Sequence, residues 1–88
     1  MQRDIKKKCS SLLGQPQQQW QGSAPHLMQV ALFAGHGMIA ITDDAGAFEL
    51  DYLGFTAGGF PTIEAAKASA PEFAQSVLEH MRNLIQNI

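Results

Sequence analysis

The 88 residues carry six Lys or Arg against eight Asp or Glu, a formal charge of −2; 45% are apolar and only 16% charged. That length predicts a single domain over 1–88, with enough apolar mass for a core and too little charge for wholesale disorder. One cysteine excludes an internal disulfide and a paired-cysteine zinc site, and no run approaches the roughly 20 apolar residues of a membrane span, so the expectation is a cytoplasmic protein away from the membrane.

Residues 2–13 predict a short amphipathic helix. Ile5, Cys9, Leu12 and Leu13 recur at helical spacing, Lys6 to Lys8 lie largely off that stripe, and Gly14 and Pro16 end it. Residues 15–25 read as a Gln- and Pro-rich linker, because five of the eleven are Gln and two Pro and a Gly break regular pairing. Trp20 in that linker has two readings, a ring closing one edge of the core or an exposed anchor for a partner.

The segment 26–60 predicts a three-stranded antiparallel sheet. His26 to Phe33 is nearly all apolar, as in a strand covered on both faces. Ala34 to Gly37 makes a turn, Met38 to Thr42 the second strand, and Asp43 to Gly46 a hairpin turn with Asp to open it and Gly for the left-handed position. From Ala47 to Leu53 the alternation is clear: Phe48, Leu50 and Tyr52 face one side, Glu49 and Asp51 the other. Three glycines between Gly54 and Gly59 end the sheet, with Phe55 or Phe60 as the alternative that extends an edge.

Thr62 caps a C-terminal helical segment over 62–88, with Glu64 at the positive end of its dipole. Pro71 either kinks that helix or splits it; the favoured outcome is a stop near Ala68 and a restart with Ser69 and Glu72 as a capping box. Phe73, Val77, Met81, Leu84 and Ile88 form one apolar stripe, wider than three strands need. The fold class expected is α+β: a short N-terminal helix, then three antiparallel strands under a C-terminal helix.

From Gly58 to Ala70 the chain reads Gly-Gly-Phe-Pro-Thr-Ile-Glu-Ala-Ala-Lys-Ala-Ser-Ala. With Trp20 and the strands before it, this resembles small phage and prophage accessory proteins, which carry a tryptophan, short strands and a Gly-x-Phe-x-Thr-x-Glu-x-Ala-Lys-x-x-Ala strand-to-helix junction. The likeness covers roughly residues 20–85. It implies a free-standing protein of a mobile element that binds a host protein, such as an effector of CRISPR or another defence system; it implies no catalytic residues. The junction is also similar to that of the plant AP2 and phage-integrase arm-binding domains, which read DNA with basic residues on the sheet. Here residues 9–66 hold no Lys or Arg at all, so a phosphate-gripping sheet is rejected. Only Arg3 and Lys6 to Lys8 remain as a minor alternative for nucleic acid.

No pattern of reactive residues accompanies the fold. Asp43, Asp44, Glu49 and Asp51 do not match an EF-hand, His36 sits between glycines without an orienting acid, and no serine lies in a nucleophile elbow. Cys9 reads as a buried thiol, or as one made reactive by Lys6 to Lys8. The expectation is no catalytic residue, no metal and no cofactor. Partner binding is assigned to Asp43, Asp44, Glu49 and Asp51 with His36 or Trp20 adjacent. Self-association into a homodimer is assigned to Phe73, Val77, Met81 and Leu84.

Overall fold

Tyr52-Leu53-Gly54-Phe55 decides the strand count. In the computed structural model, which describes residues 13–85, Leu53 and Gly54 both take positive φ (52° and 85°) and Tyr52 pairs directly with Phe55. Two left-handed residues make a two-residue hairpin loop whose twist matches the flanking strands. The chain therefore returns as a fourth strand where the three glycines were expected to end the sheet. The elements are β1 (Met28–Phe33), β2 (His36–Thr42), β3 (Phe48–Tyr52), β4 (Phe55–Phe60) and α1 (Ile63–Asn83). The sheet is antiparallel in the order β1-β2-β3-β4. This corrects the expected three strands. The helix expected over 2–13 lies outside the described residues, except for Leu13, which is not helical.

The glycines that weaken the strand signal of β4 have a local use. Phe48 pairs with Phe60 but Leu50 with Ala57, so Gly58 and Gly59 together oppose Glu49 in a β-bulge, with Gly59 at φ 84°. The β1–β2 turn is likewise only Ala34 and Gly35, both left-handed (φ 52° and 81°), and His36 and Gly37 belong to β2. Asp43 builds the β2–β3 loop: its Oδ1 accepts from the backbone N–H of Ala45 (2.8 Å) and Ala47 (3.1 Å).

Helix α1 is one unbroken element through Pro71, so the favoured restart at Ser69 does not occur. Ile63, Ala66, Ala70, Ala74 and Val77 are all buried. They continue one stripe in phase across the proline, and a new start would throw them off the sheet. Pro71 itself is exposed and costs one bond of the ladder. Thr62 caps the helix, its Oγ1 accepting from Ala65 N–H at 3.0 Å. The core lies between this stripe and Ala31, Phe33, Met38, Ala40, Leu50 and Tyr52 of the sheet. Alanines on the helix let its backbone lie close to the strands. The Tyr52 hydroxyl, inside that core, donates to the Phe33 carbonyl at 2.6 Å, and burial pushes its pKa up.

The segment read as a linker is folded against the sheet. Gln18 N–H donates to Leu32 O (2.7 Å), and Gln21 exchanges both backbone bonds with Val30 (3.0 and 2.8 Å). Gly22 passes so near β1 that a Cβ there would sit 2.4 Å from the Met28 carbonyl oxygen. The outer edge of β1 is thereby covered, and an exposed edge strand is a liability that folds commonly cover. Trp20 is half-buried, its ring 5.9 Å from Phe33, which stands 6.4 Å from Tyr52. Of its two readings, the structure shows the ring closing the core edge.

Candidate functional site

Strand alternation gives the sheet a second face, turned away from α1. The register places Met28, Ile41 and Glu49 in one row across it and Val30, Ile39, Asp51 and Thr56 in the next. Leu32 and Gly37 form a third. No described element covers this face. Met28 is exposed, and Val30, Leu32, Ile39, Ile41, Glu49 and Asp51 are half-buried. The half on β1 and β2 is aliphatic and the half on β3 is acidic. Glycines keep it shallow: a Cβ at Gly37 would touch Val30 Cγ1 at 4.0 Å, and one at Gly58 would touch Glu49 Cβ at 3.8 Å. At its β1 margin a cleft of about 550 Å³ opens between residues 15–23 and the side of β1 carrying Val30 and Leu32.

The two acids lie two residues apart on one strand, so both point the same way. Asp51 raises the pKa of Glu49 above the ordinary glutamate value, with desolvation, a hydrogen bond between the two carboxyls and the charge of Asp43 adding to it. Asp51 also accepts from the Thr56 hydroxyl at 2.7 Å. A like-charged pair beside aliphatic surface is relieved by an incoming cation. Among the described residues only Lys67 and Arg82 carry a permanent positive charge, and both are engaged elsewhere. Lys67 Nζ donates to Gln29 Oε1 (3.2 Å), and Arg82 pairs with Glu79 (2.8 Å) on the far side of the helix.

The residues assigned to partner binding do not form one cluster. Asp43, Glu49 and Asp51 share an electrostatic neighbourhood. The Asp43 carboxylate is occupied by its own loop, and Asp44 stands exposed beside it. His36 is exposed at the opposite end of β2, about 20 Å along the strand at 3.3 Å per residue. Trp20 packs on Phe33 at that same end, away from the acids. The aliphatic half of the open face was missed as binding surface. Apolar residues at 28, 30 and 32 read as core because His26 to Phe33 is expected to be covered on both faces, and the apolar run at 38–41 has no polar alternation to mark an open face.

The residues assigned to self-association divide as well. Val77 is buried in the chain's own core, and Phe73 is half-buried against it. Met81 and Leu84 are exposed, with Ile85 beside them. Length explains the division. The 21 residues of α1 span about 32 Å, while strands of five to seven residues span at most about 23 Å, so the last helical turn overhangs the sheet.

Among the described residues no three His, Cys, Asp or Glu side chains gather in a metal-holding group, and no helix is long and apolar enough to cross a membrane. Phe55 meets His80 edge-on at 5.3 Å, which accounts for the one histidine with a ring partner. No family model, no curated protein and no solved structure matches the chain.

Proposed function

We propose that this is a non-catalytic binding protein of phage or prophage origin that occludes a host protein in the cytoplasm, a CRISPR or other defence effector being the type of target. The observation that carries the binding reading is the open sheet face, an aliphatic half flush against a like-charged carboxylate pair with no cation of the described chain to answer it. Such a face fits a partner surface that combines aliphatic side chains with Lys or Arg. The Gly58 to Ala70 junction supports the mobile-element origin, and the single cysteine supports a reducing compartment. A catalytic role finds no support in His36, which stands about 10 Å along β2 from Ile39, the partner of Asp51, and about 17 Å from Ile41, the partner of Glu49.

The test is capture from host lysate with the full chain as bait. Glu49→Lys with Asp51→Lys is expected to abolish retention of the captured protein, while Glu72→Lys with Glu79→Lys, on exposed helix surface, leaves it intact. Retention that ignores the sheet reversal, or no specific capture at all, overturns the reading.

A second reading is self-association through the overhanging helix end, now restricted to Met81, Leu84 and Ile85. Their joint exposure favours it. Light scattering that gives the monomer mass at every concentration removes it.

A further inference from the structure

We infer that the partner element taken by the open sheet face is a single basic amphipathic helix, laid along β2 and β3 with its apolar stripe on Ile39 and Ile41 and its Lys or Arg over Glu49 and Asp51. This deepens the binding reading above and rests on it. Three observations point to this occupant.

The first is how the face is divided. Its boundary runs lengthwise: β2 contributes Ile39 and Ile41, and β3, paired beside it at about 5 Å, contributes Asp51 and Glu49. An amphipathic helix is divided in the same direction, a charged flank beside an apolar stripe. At about 10 Å across it covers both strands with one element, where a partner sheet needs two strands. The second is spacing. Residues two apart on a strand stand about 6.6 Å apart, and residues four apart on a helix are separated by about 6 Å along its axis. One i, i+4 pair of apolar residues thus meets Ile39 and Ile41, and an adjoining i, i+4 pair of Lys or Arg meets Asp51 and Glu49. Gly37, on the same side of β2 as the two isoleucines, puts no side chain in the path of the helix.

The third is charge complementarity. The charge of Asp51 already works against ionisation of Glu49, so cations set over the pair relieve a repulsion built into the face. Among the described residues none does so, because Lys67 is bonded to Gln29 and Arg82 to Glu79. A second copy is the poorer occupant. Its α1 carries Glu64, Glu72 and Glu79 against those two engaged cations, so that helix is acidic where the face requires a basic one. A nucleic-acid strand would set phosphates against the carboxylates.

The test is titration of the isotope-labelled full chain with a designed peptide of about 18 residues, long enough to form a helix. In it an i, i+4 pair of Ile adjoins an i, i+4 pair of Lys, repeated along a background of Ala and Gln. The control peptide has the same composition with every Lys moved to the side opposite the Ile stripe. The expected result is amide shifts at Ile39, Ile41, Glu49 and Asp51, with Glu72, Gln75 and Ser76 on the outer helix unaffected, and a gain of peptide helicity by circular dichroism on binding. Binding should weaken about tenfold for the control peptide and for the chain carrying Glu49→Gln and Asp51→Asn. It should also weaken in 1 M salt, where the screening length is about 3 Å. A nitroxide at one end of the peptide should quench one end of the strands, either the row of Ile41 and Glu49 or that of Leu32 and Gly37. Quenching graded from β1 to β4 within every row places the peptide across the strands and overturns the inference. Equal binding of the two peptides overturns it, and so do shifts confined to α1. Shifts at Ile39 and Ile41 that grow with the concentration of the chain alone assign the face to a second copy and overturn it too. If the designed peptide binds as expected and capture from lysate fails, the host-partner reading falls and the preference of the face for a basic helix stands. If capture depends on Glu49 and Asp51 and the peptide does not bind, this inference falls alone.

Discussion

The two faces of this sheet come from the same four strands, and they differ in what the chain has placed against them. The face under α1 is dry: Met38, Ala40 and Leu50 are fully buried, the Tyr52 hydroxyl is bonded to the Phe33 carbonyl, and the buried Gln29 has both ends of its amide bonded, to the Pro25 carbonyl and to Lys67. The opposite face holds residues as aliphatic as any core, Val30, Ile39 and Ile41, beside two carboxylates, of which Glu49 is made harder to ionise by the charge of Asp51. Burial of the first face supplies stability. The second, which no described element covers, contributes less to the fold than its composition allows.

That contrast predicts unequal responses to substitution. Leu50→Ala, in the covered face, should cost about 2–5 kcal/mol by lost transfer energy plus the cavity, read by denaturant unfolding. Tyr52→Phe should cost about 1–3 kcal/mol, because the Phe33 carbonyl keeps its burial and loses its donor. Thr62→Ala, at the helix cap, should cost about 1 kcal/mol. On the open face, Ile39→Thr should stay within about 1 kcal/mol, since it keeps a β-branched residue on a half-wet surface. A large loss at Ile39 matching that at Leu50 would mean that both faces are core and would break the comparison.

The smallest effect sharpens the acidic half. A raised Glu49 pKa means the folded chain holds that proton more tightly than the unfolded chain does. Stability therefore falls as pH rises from the ordinary glutamate range through the raised value, and the loss is complete above it. Asp51→Asn removes the main cause, so the Glu49 carboxyl followed by NMR should titrate lower and that fall in stability should flatten. An unchanged titration would show that Asp51 is not the neighbour that matters.

Much of this was legible residue by residue. The alternation of Phe48, Leu50 and Tyr52 against Glu49 and Asp51 marked β3 and its two faces, and Asp43 and Gly46 marked the loop before it. What escaped was set by tertiary context. Leu53-Gly54 carries only half the usual signature of a two-residue hairpin, since Leu rarely takes positive φ, and Gly58-Gly59 hides the strand beyond it. Five glutamines among residues 15–25 look like a linker, yet pairing with β1 there uses the backbone and leaves no trace in side-chain pattern. Pro71 looked like a break because the local penalty was weighed without the stripe from Ile63 to Val77 that continues across it. The residues assigned to binding are separated for the same reason. Trp20 and His36 are chemically apt for contact, but the turn at Ala34 and Gly35 sets them at one end of the sheet, about 10 Å along β2 from the row of Asp51 and about 17 Å from that of Glu49.

The central claim is that the face turned away from α1 is the one that works. Methyl spectra of the full chain, recorded with and without the protein it captures, test it most directly. Val30, Ile39 and Ile41 are expected to shift or broaden on binding while Val77 and Leu78 on α1 hold their positions. Movement confined to the α1 methyls, with the three strand residues unchanged, would contradict it.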